Sequence, residues 1–137
     1  MQKQIKPNQL FSDVSIILAG AGPGSIDYLT LNVLNAIKEA DVIIYDGLVG
    51  KKIIKSARKD CKLILASKSS QNKSCTQEQI INWMIKFSKK KRKVLRLKGG
   101  DPSIFGRGAE EIEALQMNKI PFKIFLGIAS SKSAINI

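Results

Sequence analysis

The 137-residue chain has no histidine, only two cysteines, eight aromatic residues and four arginines. Without histidine, a Ser-His-Asp triad, a papain-like Cys-His pair and a HExxH zinc site are all excluded. Cys61 and Cys75 match no zinc or redox spacing and read as reduced thiols of a cytoplasmic protein. No apolar run approaches the ~18 residues of a membrane span. The opening stretch, Met1 to Leu10, lacks the apolar core of a secretory signal. What is present is a globular composition, 44% hydrophobic and 25% charged, long enough for one domain of ordinary size.

The net charge of +12 invites a nucleic-acid reading, but it is unevenly placed. Residues 1–50 carry 3 basic and 5 acidic groups, residues 51–98 carry 16 and 2, and residues 99–137 carry 4 of each. The excess therefore belongs to the middle third and peaks at Lys89-Lys90-Lys91-Arg92-Lys93. Nineteen of the 23 basic residues are lysine, whereas base-reading proteins favour the planar fork of arginine. The chain also holds 20 Ile and 7 Asn, which like Lys have A/T-rich codons, so codon bias supplies part of the lysine. A solvated lysine-rich face, a polyanionic small substrate and nucleic acid all remain compatible with this segment.

Apolar periodicity alternates between short continuous runs and helical spacing. Strands are expected over Val14–Gly20, Val42–Tyr45, Lys62–Ala66, Val94–Leu97 and Phe122–Leu126. Helices are expected over Leu29–Ala40 and, in shorter form, Lys51–Arg58. A third opens at Thr76 with Gln79 completing a capping box, and a fourth is marked by Ala109, Ile112 and Leu115. Strands separated by helix-length segments imply an α/β fold: an open, mainly parallel five-stranded sheet with helices on both faces. Residues 1–13 read as a polar tail and residues 14–137 as the domain.

In such a sheet, ligands bind beyond the carboxyl ends of the strands. The least ordinary segments fall at those ends. Gly20-Ala21-Gly22-Pro23-Gly24-Ser25 resembles a dinucleotide fingerprint but has Ser25 at the last glycine position, and a tight structural turn would look the same. Asp46 follows the second strand, where a carboxylate suits either a base or a turn residue. Lys68, taken alone, is one surface lysine among many. Arg96 to Gly108 combines four glycines, a proline, an aspartate and three cations. It reads as a polar, backbone-rich functional surface beyond the needs of a structural turn.

Taken together, Gly20 to Gly24 with Leu29-Thr30-Leu31, Ala40 to Val49, and the run Arg96 to Gly108 resemble the tetrapyrrole methylase superfamily. The last run resembles its uroporphyrinogen-III C-methyltransferase branch. The resemblance implies the N-terminal domain of that fold, truncated before a second domain that completes the cleft. It implies S-adenosylmethionine as methyl donor, no metal, and uroporphyrinogen III as acceptor, methylated to precorrin-1 and then precorrin-2 in sirohaem or cobalamin synthesis. Pro23, Gly99, Gly100, Asp101, Ile104, Ala129 and Ser130 correspond to donor-contacting positions. Asp46 corresponds to the proton acceptor and Lys68 to the proton donor. A homodimer is implied for the intact family, and a basic trough for the polycarboxylate substrate is a candidate use of the lysine-rich third. The chain departs from the family pattern at Gly47, at Ser69, Gln71 and Lys73-Ser74 after Lys68, at Leu126 and at Ala129. Two other readings stand beside this one. One is a non-catalytic binding module of the same fold; the other is a basic nucleic-acid-binding protein, for which stacking aromatics and a helix-turn-helix are missing.

Overall fold

The structure is a computed structural model, described over residues 9–22, 26–66, 77–99 and 104–125, with side chains omitted for 104–108. Five strands form one sheet: β1 (Ile16–Gly20), β2 (Val42–Tyr45), β3 (Lys62–Leu65), β4 (Val94–Lys98) and β5 (Phe122–Phe125). Between them lie α1 (Leu31–Glu39), the single turn α2 (Lys51–Ile54), α3 (Gln77–Lys89) and α4 (Ile104–Met117). The strand order is β3-β2-β4-β1-β5, and every pairing is parallel. The register sets Ile16 and Val42 on either side of Val94, and Gly20 beside Lys98.

The two faces are covered by different helices, as an all-parallel sheet requires. Strand alternation sends Ile17, Ala19, Ile43, Leu95 and Leu97 to one face, under Val33, Ala36, Ile37 and Ala40 around α1 and Ile53 of α2. The opposite face carries Ile16, Leu18, Val42, Ile44 and Val94, packed against Ile80, Met84 and Phe87 of α3 and Leu115 of α4. All five residues of β1 are buried, which accounts for its unbroken apolar run. Each fully buried Ile or Leu contributes about 1.5–3 kcal/mol relative to exposure. Among the described residues no helix is long and apolar enough to cross a membrane.

Helix ends follow local chemistry. The Thr30 hydroxyl accepts from the Val33 amide at 3.2 Å, which starts α1 two residues later than the apolar spacing suggests. Both α3 and α4 close with a left-handed lysine. Lys91 (φ 59) and Lys119 (φ 56) occupy the position where glycine is usual. Arg92 and Ile120 then donate back to the carbonyls of Phe87 and Leu115 at 3.1 and 3.0 Å.

Three expectations are corrected. Leu10 is fully buried and Phe11 nearly so, and the Leu10 amide donates to the Glu39 carboxylate at 3.2 Å. The end of the supposed polar tail is thus part of the core. The helix expected over Lys51–Arg58 stops after one turn, because Arg58 turns back to bind Asp41 at 2.8 Å, Asp60 at 3.0 Å and the Glu39 carbonyl at 3.1 Å. And α4 begins at Ile104, so Gly106 and Gly108 lie inside a helix rather than in a loop.

Candidate active site at the carboxyl ends of the sheet

β1 and β4 are neighbours, yet the chain leaves β1 for α1 on one face and the helix after β4 packs on the other. Adjacent strands whose connections depart to opposite faces leave a crevice at their carboxyl ends. Gly20–Gly22, Asp46 and Gly99 all stand at that edge. The Ala21 amide donates to the Lys98 carbonyl at 2.7 Å, tying the end of β1 to that of β4. Gly22 has φ 71, a left-handed conformation that glycine adopts without strain.

Asp46 joins the next pair of strands. Its carboxylate accepts the Leu48 amide at 3.1 Å and the Gly99 amide at 3.2 Å and 3.4 Å, one distance to each oxygen. The first bond is a local turn within the β2 exit, and the second spans to the β4 exit. The two loops lie so close that a Cβ on Gly99 would stand 2.6 Å from the Leu48 carbonyl carbon and 2.8 Å from the Val49 nitrogen. Glycine at 99 is therefore a steric requirement of this junction. Around it, Tyr28, Leu31 and Leu48 expose large apolar side chains at the same end of the sheet.

Of the nine expected site residues, the structure brings Asp46 and Gly99 into direct contact. Ile104 opens α4, with its side chain not described. Pro23, Lys68, Gly100, Asp101, Ala129 and Ser130 lie outside the described residues.

Two other expectations change. Among its described residues, the run Arg96 to Gly108 does not form one polar surface. Arg96 and Lys98 belong to β4 and point to the α3/α4 face, where they meet Glu111, a fully buried carboxylate absent from the expected site. Arg96 Nε lies 3.3 Å from Glu111 Oε1 and Lys98 Nζ lies 3.2 Å from Oε2. Gln77 Nε2 also donates to Oε2, at 2.7 Å. The signal was in the sequence: Glu111 stands four residues before Leu115 on the buried stripe, and Arg96 shares the strand face of Val94.

The lysine run, in turn, does not line this crevice. Lys89–Lys93 connects the end of α3 to the start of β4, and the Lys93 carbonyl accepts from Asp41 and Val42 at the opposite edge of the sheet. Val94 to Lys98 spans roughly 13 Å of strand at about 3.3 Å per residue. The run Lys89–Lys93 is thus excluded from a substrate trough at the carboxyl ends. At that far edge, burial pushes the Asp41 carboxyl up, but the Lys93 amide and the Arg58 guanidinium outweigh it and hold the group below its ordinary range. Burial also pushes the Cys61 thiol up to about 11, so it is not a poised nucleophile.

Comparison with known proteins agrees with the geometry. Residues 15–137 match the family described as Tetrapyrrole (Corrin/Porphyrin) Methylases. Over 119 residues the chain is 46% identical to a uroporphyrinogen-III C-methyltransferase of Bacillus subtilis, covering 87% of this chain and 46% of that protein. A crystal structure of the uroporphyrin-III-C-methyltransferase from Thermus thermophilus superposes with a TM-score of 0.74 at 35% identity, covering 90% of this chain and 53% of that one. The same enzyme complexed with S-adenyl homocysteine gives 0.71 at 35% identity, covering 84% and 48%. The chain spans about half the length of the uroporphyrinogen-III C-methyltransferases it matches, covering 46% and 50% of two of them. An all-parallel 3-2-4-1-5 sheet, a glycine-tight junction at its carboxyl edge and this similarity over nearly the whole chain place it in the tetrapyrrole (corrin/porphyrin) methylase family.

Proposed function

We propose that the chain acts in the S-adenosylmethionine-dependent C-methylation of uroporphyrinogen III, through precorrin-1 to precorrin-2, and that its carboxyl edge forms one wall of the donor site. The observation that carries this reading is the 46% identity to a uroporphyrinogen-III C-methyltransferase across the segment that builds the Asp46–Gly99 junction. A homodimeric assembly and a cytoplasmic setting belong to the same reading.

The described residues suit the donor's chemistry. Exposed Tyr28, Leu31 and Leu48 offer apolar surface to a flat adenine, while the glycine-lined backbone at Gly20–Gly22 and Gly99 allows close approach. Gly99 would contact the donor directly, together with Pro23, Gly100, Asp101, Ile104, Ala129 and Ser130. When bound, the donor supplies an electrophilic methyl on a cationic sulfur, so catalysis rests on alignment with a nucleophilic ring carbon and on handling one proton. A carboxylate has about four lone-pair directions. Asp46 spends part of them on Leu48 and Gly99 and keeps acceptor capacity for a substrate proton. Lys68, in the segment that follows β3 in the chain, would return a proton.

The test is incubation of the chain with isotopically labelled S-adenosylmethionine and uroporphyrinogen III, followed by mass analysis of the tetrapyrrole. The reading expects label to appear as one and then two added methyl groups. Donor binding without transfer would instead favour the non-catalytic module, the reading to which the departures at Ser69, Gln71 and Lys73 point.

A further inference from the structure

We propose that Glu111 is a positioning residue for the donor site, setting the ends of β2 and β4 and the start of α3 around it. This inference rests on the donor-site reading of the preceding section. The carboxylate is fully buried, and its partners reach the ends of β2 and β4 and the start of α3. Lys98 is the last residue of β4 and adjoins Gly99. Gln77 is the first residue of α3. Arg96, bound through Nε to Glu111, donates from its terminal nitrogen to the Ile44 carbonyl at 3.3 Å, two residues before Asp46. Glu111 itself sits on the second turn of α4, the helix that receives the chain after the segment holding Gly100 and Asp101.

One carboxylate therefore fixes the exit of β2, the exit of β4, the start of α3 and the axis of α4. Burying two cations with one carboxylate gives little stability compared with apolar side chains of similar volume. What it gives is direction, since each partner must meet a defined oxygen at hydrogen-bond distance. A carboxylate placed in this way aligns the start of α3 with the strand ends that carry Asp46 and Gly99.

The experiment compares the chain with its Glu111→Gln variant by residue-resolved amide hydrogen exchange and by calorimetric titration with S-adenosyl homocysteine. The proposal predicts exchange about tenfold faster or more at Gly99 and at Ile81 in the first turns of α3. It predicts Val94 at the far edge and Leu34 in α1 within about twofold of the parent once the change in global stability, read from the denaturation midpoint, is subtracted, and affinity for S-adenosyl homocysteine weakened about tenfold. Unchanged protection at Gly99 and Ile81 overturns it, and so does an equal loss at all four amides, which would mark Glu111 as a stability element only. If Glu111→Gln does not fold, Lys98→Met decides, with faster exchange expected at Gly99 alone and an unchanged Gly99 contradicting the proposal. Failure of the parent chain to bind S-adenosyl homocysteine would count against the donor reading, while the exchange arm still decides the role of Glu111.

Discussion

The amide of Gly99 donates to the carboxylate of Asp46 across the junction of β2 and β4, with 3.2 Å and 3.4 Å to the two oxygens. This bond makes Asp46 a fold residue as well as a candidate proton acceptor. It also explains why no side chain fits at 99, where the first carbon would stand 2.6 Å from Leu48. Gly99→Ala is therefore expected to cost about 1–3 kcal/mol by overpacking, read from the denaturation midpoint. Asp46→Ala should cost about 1–2 kcal/mol, because it leaves two amides without their acceptor.

The Glu111 cluster predicts an asymmetry between single and combined substitutions. Glu111→Leu alone leaves Arg96 and Lys98 buried without their carboxylate and is expected to cost about 3–5 kcal/mol. Adding Arg96→Met and Lys98→Met should recover most of that loss, since an apolar cluster of similar volume needs no partner. Chemical denaturation of the single and triple variants measures both.

The sheet and its layering were legible in the sequence because burial on both faces leaves unbroken apolar runs, as in Ile16 to Ala19. Helix lengths were less so. Arg58 ends α2 through bonds to Asp41 and Glu39, residues 17 and 19 positions away, and no local pattern encodes such a contact. Asp46 was identifiable from its place after a strand, but its bond to Gly99 spans 53 residues. Glu111 is hidden in the sequence because a charged residue beside Glu110 and Glu113 reads as solvated helix surface, although its spacing to Leu115 places it on the buried stripe. The lysine run misled in the opposite sense: its charge suits an anionic substrate, but chain order sets it at the start of β4 rather than the end.

Acid should loosen the far edge of the sheet as Asp41 takes up its proton. A carboxyl held below its ordinary value of 3.8 by Lys93 and Arg58 stabilises the fold fully above that value. That contribution is lost as pH falls through the lower, folded value. Asp41→Asn is expected to lower stability by about 1 kcal/mol at neutral pH and to flatten the decline between neutral pH and the acid limit. A series of denaturation curves against pH, parent beside variant, reads the difference directly.

Cys61 should resist alkylation. With its thiol pushed up to about 11 from an ordinary 9.0, its thiolate fraction at neutral pH falls about a hundredfold. In a Cys75→Ser background, iodoacetamide should label the folded chain far more slowly than the chain in denaturant. Equal rates would contradict the partial burial of Cys61.

The central claim is that the donor is bound at the carboxyl edge of the sheet, around Gly22, Asp46 and Gly99. It is tested most directly by following backbone amide shifts while titrating S-adenosyl homocysteine to millimolar concentration. The account predicts saturable shifts at Gly22, Leu48 and Gly99, with Lys62 and Lys93 at the opposite edge unmoved. Shifts confined to the Lys89–Lys93 edge, or none at millimolar ligand, would contradict it.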